Sequence, residues 1–226
     1  VSLPLMKRLA VLVLAFALSG CGSLVPDGRA PARPPTQAPR PVAVSGEQRQ
    51  CLADLGARGA NVSPVADRYY GAGCSTLSTV NLSAVHGDVG EFRLTNLGPV
   101  SCPLAETTAA WARFGVDRAA RQVLGSPLAR IETFGSYSCR DVAGSGRRSA
   151  HATANAIDVS AFVLADGRRI SVLDDWSGGD VARQRFLRLV HLSACKRFGT
   201  VLGPDYNAAH RDHFHVESGR QGGFCR

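Results

Sequence analysis

Two stretches of the chain repeat their apolar residues at helical spacing. After Ser101 and Pro103, residues Ala112, Val116, Ala119, Ala120 and Val123 recur on one face until Gly125 stops the pattern, which predicts a core helix. Trp111 and Phe114 fall near that stripe and read as packing residues. A second helix is predicted after the capping residue Asp180, where Phe186, Val190, Ala194 and Phe198 repeat every four residues before Gly199. His191 lies beside this stripe and reads as an ordinary helix histidine. Other segments follow the strand pattern. Residues 130–139 predict a strand, 156–172 predict two strands joined at the hairpin dipeptide Asp166-Gly167, and 213–218 alternate with period two. Residues 51–100, rich in Gly, Ser and Asn, read as loops and short strands, for example over 89–94. Two long helices among several strands, without a βαβ repeat, predict an α+β fold with a mostly antiparallel sheet flanked by helices.

The first twenty residues follow a different pattern. Met6-Lys7-Arg8 gives a positive start, Leu9 to Leu18 is a ten-residue apolar run, and Leu18-Ser19-Gly20-Cys21 follows. The run is half the length of a spanning helix, and the arrangement reads as a lipoprotein signal over 1–20 with Cys21 lipidated after cleavage. Gly22 rather than Asp resembles lipoproteins sent to the outer membrane, so the expected location is the bacterial periplasm with a lipid anchor. Residues 21–46 contain Pro26, Pro31, Pro34, Pro35, Pro39 and Pro41 with interspersed arginines and read as a tether. One domain is expected over 47–226.

Export changes how charge and cysteine are read. The formal charge is +8, or +6 once Lys7 and Arg8 are removed with the signal. A basic surface suits nucleic acid, anionic lipid or an anionic wall polymer, but the export signal and the absence of a basic helix or aromatic-basic motif argue against nucleic acid. Apart from Cys21, the cysteines are Cys51, Cys74, Cys102, Cys139, Cys195 and Cys225, an even number that predicts up to three disulfides in an oxidising compartment. Fifteen connectivities are possible when all six pair. Closing the most local loops favours Cys51 with Cys74, Cys102 with Cys139, and Cys195 with Cys225. No two stand at C-x-x-C spacing, so a cysteine zinc site is disfavoured.

Chemistry gathers in two short segments, which hold four of the six histidines. Ser149 to Asp158 includes His151; His210 to Glu217 includes His213 and His215. In a strand, His213, His215 and Glu217 share one face and leave Phe214 and Val216 to the core. His151 and Asp158 are seven apart, an odd number that opposes them on one regular strand, so a loop or kink must intervene before Asp158 opens the next strand. A His, Asp, His ligand set leaves a fourth position for water, the pattern of a catalytic zinc site. Another imidazole beside that water suits proton transfer. Spacing does not say which of His213 and His215 is the ligand. Surface histidines are the ordinary alternative for either segment alone, and their joint occurrence weakens it.

Ser149-x-His151, Ala156-x-Asp158 and His213-x-His215 resemble the S-x-H-x-x-G-x-A-x-D and H-x-H motifs of LAS-type zinc peptidases, the group of D-Ala-D-Ala peptidases and penicillin-insensitive murein endopeptidases. The blocks Gly135-Ser136-Tyr137-Ser138-Cys139-Arg140, His151 to Ala156, Val201 to Asn207 and Gly223-Phe224-Cys225-Arg226 are similar to the bacterial extensin-like C-terminal domain family, from about Cys51 to Arg226. The resemblance implies that His151, Asp158 and His215 hold Zn2+, that His213 handles the proton, and that His210 and Arg140 contact substrate. It implies a zinc-dependent hydrolase of peptidoglycan stem peptides, with a DD-endopeptidase preferred over a D-Ala-D-Ala carboxypeptidase or a non-catalytic wall-binding module. One position departs from the motif: Ala154 stands where glycine is usual, and a positive φ there would be strained.

Overall fold

The structure is a computed structural model and describes residues 43–226; the expected signal, Cys21 and most of the tether lie outside the described residues. The first element is a helix, α1 (Gly46–Ala57), where loops and short strands were expected. Ser45 caps it by accepting a hydrogen bond from the Gln48 amide at 3.0 Å. Its inward row is Gln48, Cys51 and Leu55, helical spacing hidden from an apolar count because the first member is a glutamine. Burial of that amide is compensated at its nitrogen, which donates to the Val65 carbonyl at 3.0 Å and the Thr79 carbonyl at 2.6 Å, while its oxygen has no partner among the described residues.

Six strands follow: β1 (Ala60–Pro64), β2 (Arg68–Gly71), β3 (Cys74–Thr76), β4 (Thr79–His86), β5 (Glu91–Thr95) and β6 (Pro99–Ser101). Helix α2 (Cys102–Trp111) continues as π-helical turns over Ala112–Asp117 and Ala120–Leu124, until Gly125 ends the run in the left-handed region at φ 71°. The predicted helix is therefore present, with wider turns in its second half. Trp111 is buried, its indole donating to the Val190 carbonyl at 3.2 Å, whereas Phe114, expected to pack inward, is exposed.

The remaining elements are β7 (Leu128–Gly135), β8 (Ala156–Leu164), β9 (Arg169–Ser171), α3 (Val172–Asp175), α4 (Val181–Cys195), β10 (Thr200–Leu202), β11 (Phe214–Glu217) and β12 (Phe224–Cys225). Eight strands run in the order β1-β4-β5-β7-β8-β11-β10-β12, with β6 paired to β4 and β9 to β8, while β2 and β3 form a separate ribbon. Only β5–β7 and β10–β12 are parallel pairs among those described. The architecture is the expected α+β fold with a mostly antiparallel sheet flanked by helices. The 130–139 strand is shorter than predicted, because Gly135 turns the chain at φ 116°.

Register on β8 places the site. Thr133 pairs with Val159 while Glu132 pairs with Ala161, so Ser160 is an extra residue in the ladder. The slip puts Val159 and Phe162 on one side although they are an odd number apart, and both lie in the core. Phe162 meets Trp111, Phe186 and Phe214 in edge and tilted contacts at centroid distances of 6.2, 5.4 and 6.5 Å. Opposite the core, Asp158 is directly paired with His215 across β8–β11.

Three disulfides staple these elements: Cys51–Cys102, Cys74–Cys139 and Cys195–Cys225. The expected Cys195–Cys225 pair is present; the expected Cys51–Cys74 and Cys102–Cys139 pairs are not. Cys51 lies on α1, which packs against the start of α2 at Cys102, and Cys74 on β3 meets the loop after β7. Nearness in sequence was a weak guide, because doubling a closed loop costs only about 0.6 kcal/mol, whereas element packing fixes which thiols meet.

Candidate metal centre

His151 sits in a 3-10 turn, Ala150–Thr153, whose cap Ser149 accepts a hydrogen bond from the His151 amide at 3.3 Å. The kink that the odd spacing required follows at once: Ala154 adopts φ 54°, ψ 30°, and β8 begins two residues later. Ala154 thus occupies the left-handed conformation that glycine takes without strain. Its carbonyl accepts the Ser101 amide at 2.8 Å and its own amide donates to the His151 carbonyl at 3.1 Å, which hold the turn in place.

The turn, β8 and β11 bring three donors together. His151 Nε2 lies 3.2 Å from an Asp158 carboxylate oxygen and 3.2 Å from His215 Nδ1, and His215 Nδ1 lies 2.8 Å from the other Asp158 oxygen. Both imidazoles are oriented from behind. His151 Nδ1 is 3.0 Å from the Ser136 carbonyl, an acceptor only, so Nδ1 carries the proton and Nε2 presents its lone pair. His215 Nε2 is 2.9 Å from the Glu217 carboxylate, which leaves Nδ1 to face the other donors.

Two imidazole lone pairs and a carboxylate therefore point into one buried spot, an arrangement that only positive charge relieves. Burial pushes the His215 pKa down, but the Asp158 and Glu217 carboxylates outweigh it and bring the value up to about 9. Burial pushes Asp158 up, and its hydrogen bonds with His151 and His215 outweigh that and hold its carboxyl well below the usual range. The donor set suits zinc: bonds of about 2.0–2.1 Å in a tetrahedron separate donors by roughly 3.3 Å, close to the observed spacings. Anchored imidazoles and a carboxylate match this ion's preferences.

His213 precedes β11 rather than lying in it. Its Nδ1 is 2.9 Å from the Asp212 carboxylate, which makes Nδ1 the donor and turns Nε2 toward Asp158, 3.4 Å away. Phe134 meets its ring edge-on at 5.8 Å. His210 ends a short 3-10 turn, Ala208–His210, with ring centroids 5.2 Å from His213 and 5.8 Å from His215. Asn207 Oδ1 accepts from the Ala209 amide at 3.0 Å, so it also accepts from His210 Nδ1 at 2.7 Å and leaves His210 Nε2 as an acceptor. Burial, then the neighbouring His213 and His215, push the His210 pKa down to about 4, so the ring is neutral near pH 7.

These groups line a cleft of about 580 Å3, with Arg140 and Arg147 on one wall and Tyr206 and Phe224 on another. The Cys74–Cys139 disulfide ties the residue before Arg140 to the β2–β3 ribbon. All six residues singled out from the sequence, His151, Asp158, His210, His213, His215 and Arg140, contribute to this one region. The orienting acceptors, the Ser136 carbonyl, Asp212 and Glu217, were not assigned. Glu217 and Asp212 carried a signal, one sharing the strand face of His215 and the other adjoining His213; a backbone carbonyl leaves none.

The fold and site define a disulfide-stapled α+β domain whose sheet bears a buried two-imidazole, one-carboxylate cluster open to a cationic cleft. The family model described as "Extensin-like protein C-terminus" matches residues 49–226, and the chain belongs to that family. No curated protein and no solved structure matches the chain.

Proposed function

We propose that this protein is a zinc-dependent hydrolase of an amide bond in peptidoglycan, a DD-endopeptidase that cleaves peptide cross-links. The observation that carries the reading is the convergence of His151 Nε2, His215 Nδ1 and the Asp158 carboxylate, each imidazole held in its tautomer from outside. The likeness of Ser149-x-His151, Ala156-x-Asp158 and His213-x-His215 to LAS-type peptidase motifs supports the choice of reaction. Zinc held by His151, Asp158 and His215 would supply an activated water and a Lewis acid for the scissile carbonyl.

The chain's own groups supply the rest. His213 Nε2, aimed at the cluster by Asp212, takes the proton from the attacking water as its oxygen bonds to the carbonyl carbon. As the C–N bond breaks, the same proton passes to the departing amine nitrogen. His210 Nε2 is an acceptor in the cleft and suits a substrate N–H better than a developing oxyanion. Arg140 suits a carboxylate, and a cationic wall also favours a second reading, a carboxypeptidase that grips a free terminal carboxylate.

Export and lipidation at Cys21 belong to the same proposal, because they bring the domain to its polymer. Purified muropeptides digested with and without a chelator test the chemistry. The expected result is chelator-sensitive conversion of cross-linked dimers to monomers; monomers losing only terminal D-Ala would select the carboxypeptidase, and unchanged substrate in both samples would remove the hydrolase.

A further inference from the structure

Helix α4 buries one apolar row and carries two further leucines on an exposed face. Phe186, Leu187, Val190 and Ala194 are buried in the core. A second row, Arg185, Leu189, Leu192 and Lys196, follows i, i+4, i+7 and i+11 and is exposed. Leu189 and Leu192 are 40% and 53% exposed, and Phe114 from the neighbouring π-helical turn is 43% exposed. Between them runs a groove of about 340 Å3 with Arg118, Lys196 and Arg197 on its rim.

Charge on this face is one-sided. From Val181 to Arg197 the sequence contains no Asp or Glu. Arg183 and Arg188 are paired with Asp175, Asp180 and Asp205, but Arg185, Lys196 and Arg197 have no carboxylate partner among the described residues. Beside the groove, Arg113, Arg118 and Arg121 share the single carboxylate of Asp88, and Arg121 also meets Asp117. A helix dipole accounts for cations in a last turn, and core packing accounts for one apolar row. Neither accounts for two exposed leucines beside Arg185, Lys196 and Arg197, which lack carboxylate partners among the described residues, or for an exposed phenylalanine with Arg113 and Arg118 over its ring, and such patches mark interaction surfaces.

We propose that this face docks on an anionic phospholipid bilayer, with Phe114, Leu189 and Leu192 entering the headgroup boundary and the cations at headgroup level. Basic side chains over a leucine and phenylalanine row are the composition of a peripheral membrane face, and aliphatic stems let Lys and Arg cover the apolar floor while their charges reach phosphate. No described helix is long and apolar enough to cross a membrane, so the contact is peripheral. The groove and the metal cleft share no lining residue, and this inference rests neither on zinc nor on a lipid at Cys21.

The test is co-sedimentation of the chain from residue 21 onward, carrying Cys21→Ser, with vesicles of phosphatidylcholine alone or with phosphatidylglycerol. Stronger binding to the anionic vesicles, weakened by salt, is expected. In the same background, Leu189→Ser/Leu192→Ser is expected to lose at least about tenfold in binding, and Arg185→Gln or Lys196→Gln about fivefold each. Unchanged circular dichroism and thermal melts show that each variant is folded. Binding that ignores lipid charge, or folded variants that bind like the parent, would overturn the proposal. A dimer of the parent that the leucine variant abolishes, without vesicle binding, would do the same and assign the face to a second copy of the chain.

Discussion

Two groups of metal-type donors come within 4.8 Å among the described residues: His151, Asp158 and His215, and separately His191, Cys195 and Cys225. Proximity is the same in both, and the chemistry is opposite. In the second group the two sulfurs are bonded to each other, so neither is a thiolate ligand. His191 packs against Trp176 and Phe214 at centroid distances of 5.5 and 5.2 Å, and burial lowers its pKa. In the first group no donor atom is tied up in another covalent bond, and acceptors outside the cluster turn one nitrogen of each imidazole inward. Distance nominates a site; free valence and orientation decide it.

The sharpest way to break this comparison is to remove one donor from each group. Asp158→Ala is expected to reduce zinc in the purified oxidised protein from about one per chain to near zero and to abolish chelator-sensitive cleavage. Elemental analysis and muropeptide digestion check this. His213→Ala is expected to keep its zinc and lose about 10²–10⁴-fold in turnover, which separates proton handling from metal holding. The double variant Cys195→Ser/Cys225→Ser is expected to keep one zinc while losing about 3 kcal/mol of stability, read as a fall in Tm of roughly 6–12 °C for a chain of this size. Glu217→Ala is expected to weaken zinc affinity about 10–100-fold by competitive chelation, because it removes the orienting partner of His215. The smallest effect is expected from Ala154→Gly, where relief of about 1–2 kcal/mol of left-handed strain is offset by the loss of one buried methyl, about 0.8 kcal/mol, and by the added freedom of the unfolded chain, about 0.4–1 kcal/mol. Its thermal melt should stay within about 3 °C of the parent, with zinc content unchanged.

The cluster of His151, Asp158 and His215 was more legible than the fold around it. Period-two alternation put His215 and Glu217 opposite Phe214 and Val216, and the strand has that arrangement because its apolar side chains meet the core. The odd separation of His151 and Asp158 required a kink, which Ala154 provides. Choosing His215 over His213 as the ligand came from family resemblance alone, since alternation treats them alike. Helix α1 escaped notice because its inward row contains Gln48, whose burial depends on carbonyls from β4 and the segment after β1. The extra residue at Ser160 was equally hidden, since a strand's ladder count is set by its partner. Phe114 was misplaced because it lies two residues from both Ala112 and Val116, on the side of the helix away from their buried stripe.

The Cys74–Cys139 bridge has a consequence for timing. It anchors the segment leading into Arg140, so completion of that cleft wall depends on thiol oxidation as well as on chain folding. A molecule still in a reducing compartment has the imidazole and carboxylate residues but lacks the covalent brace beside them. Bracing of the full cleft surface is thereby deferred until the polypeptide reaches an environment where sulfurs can join.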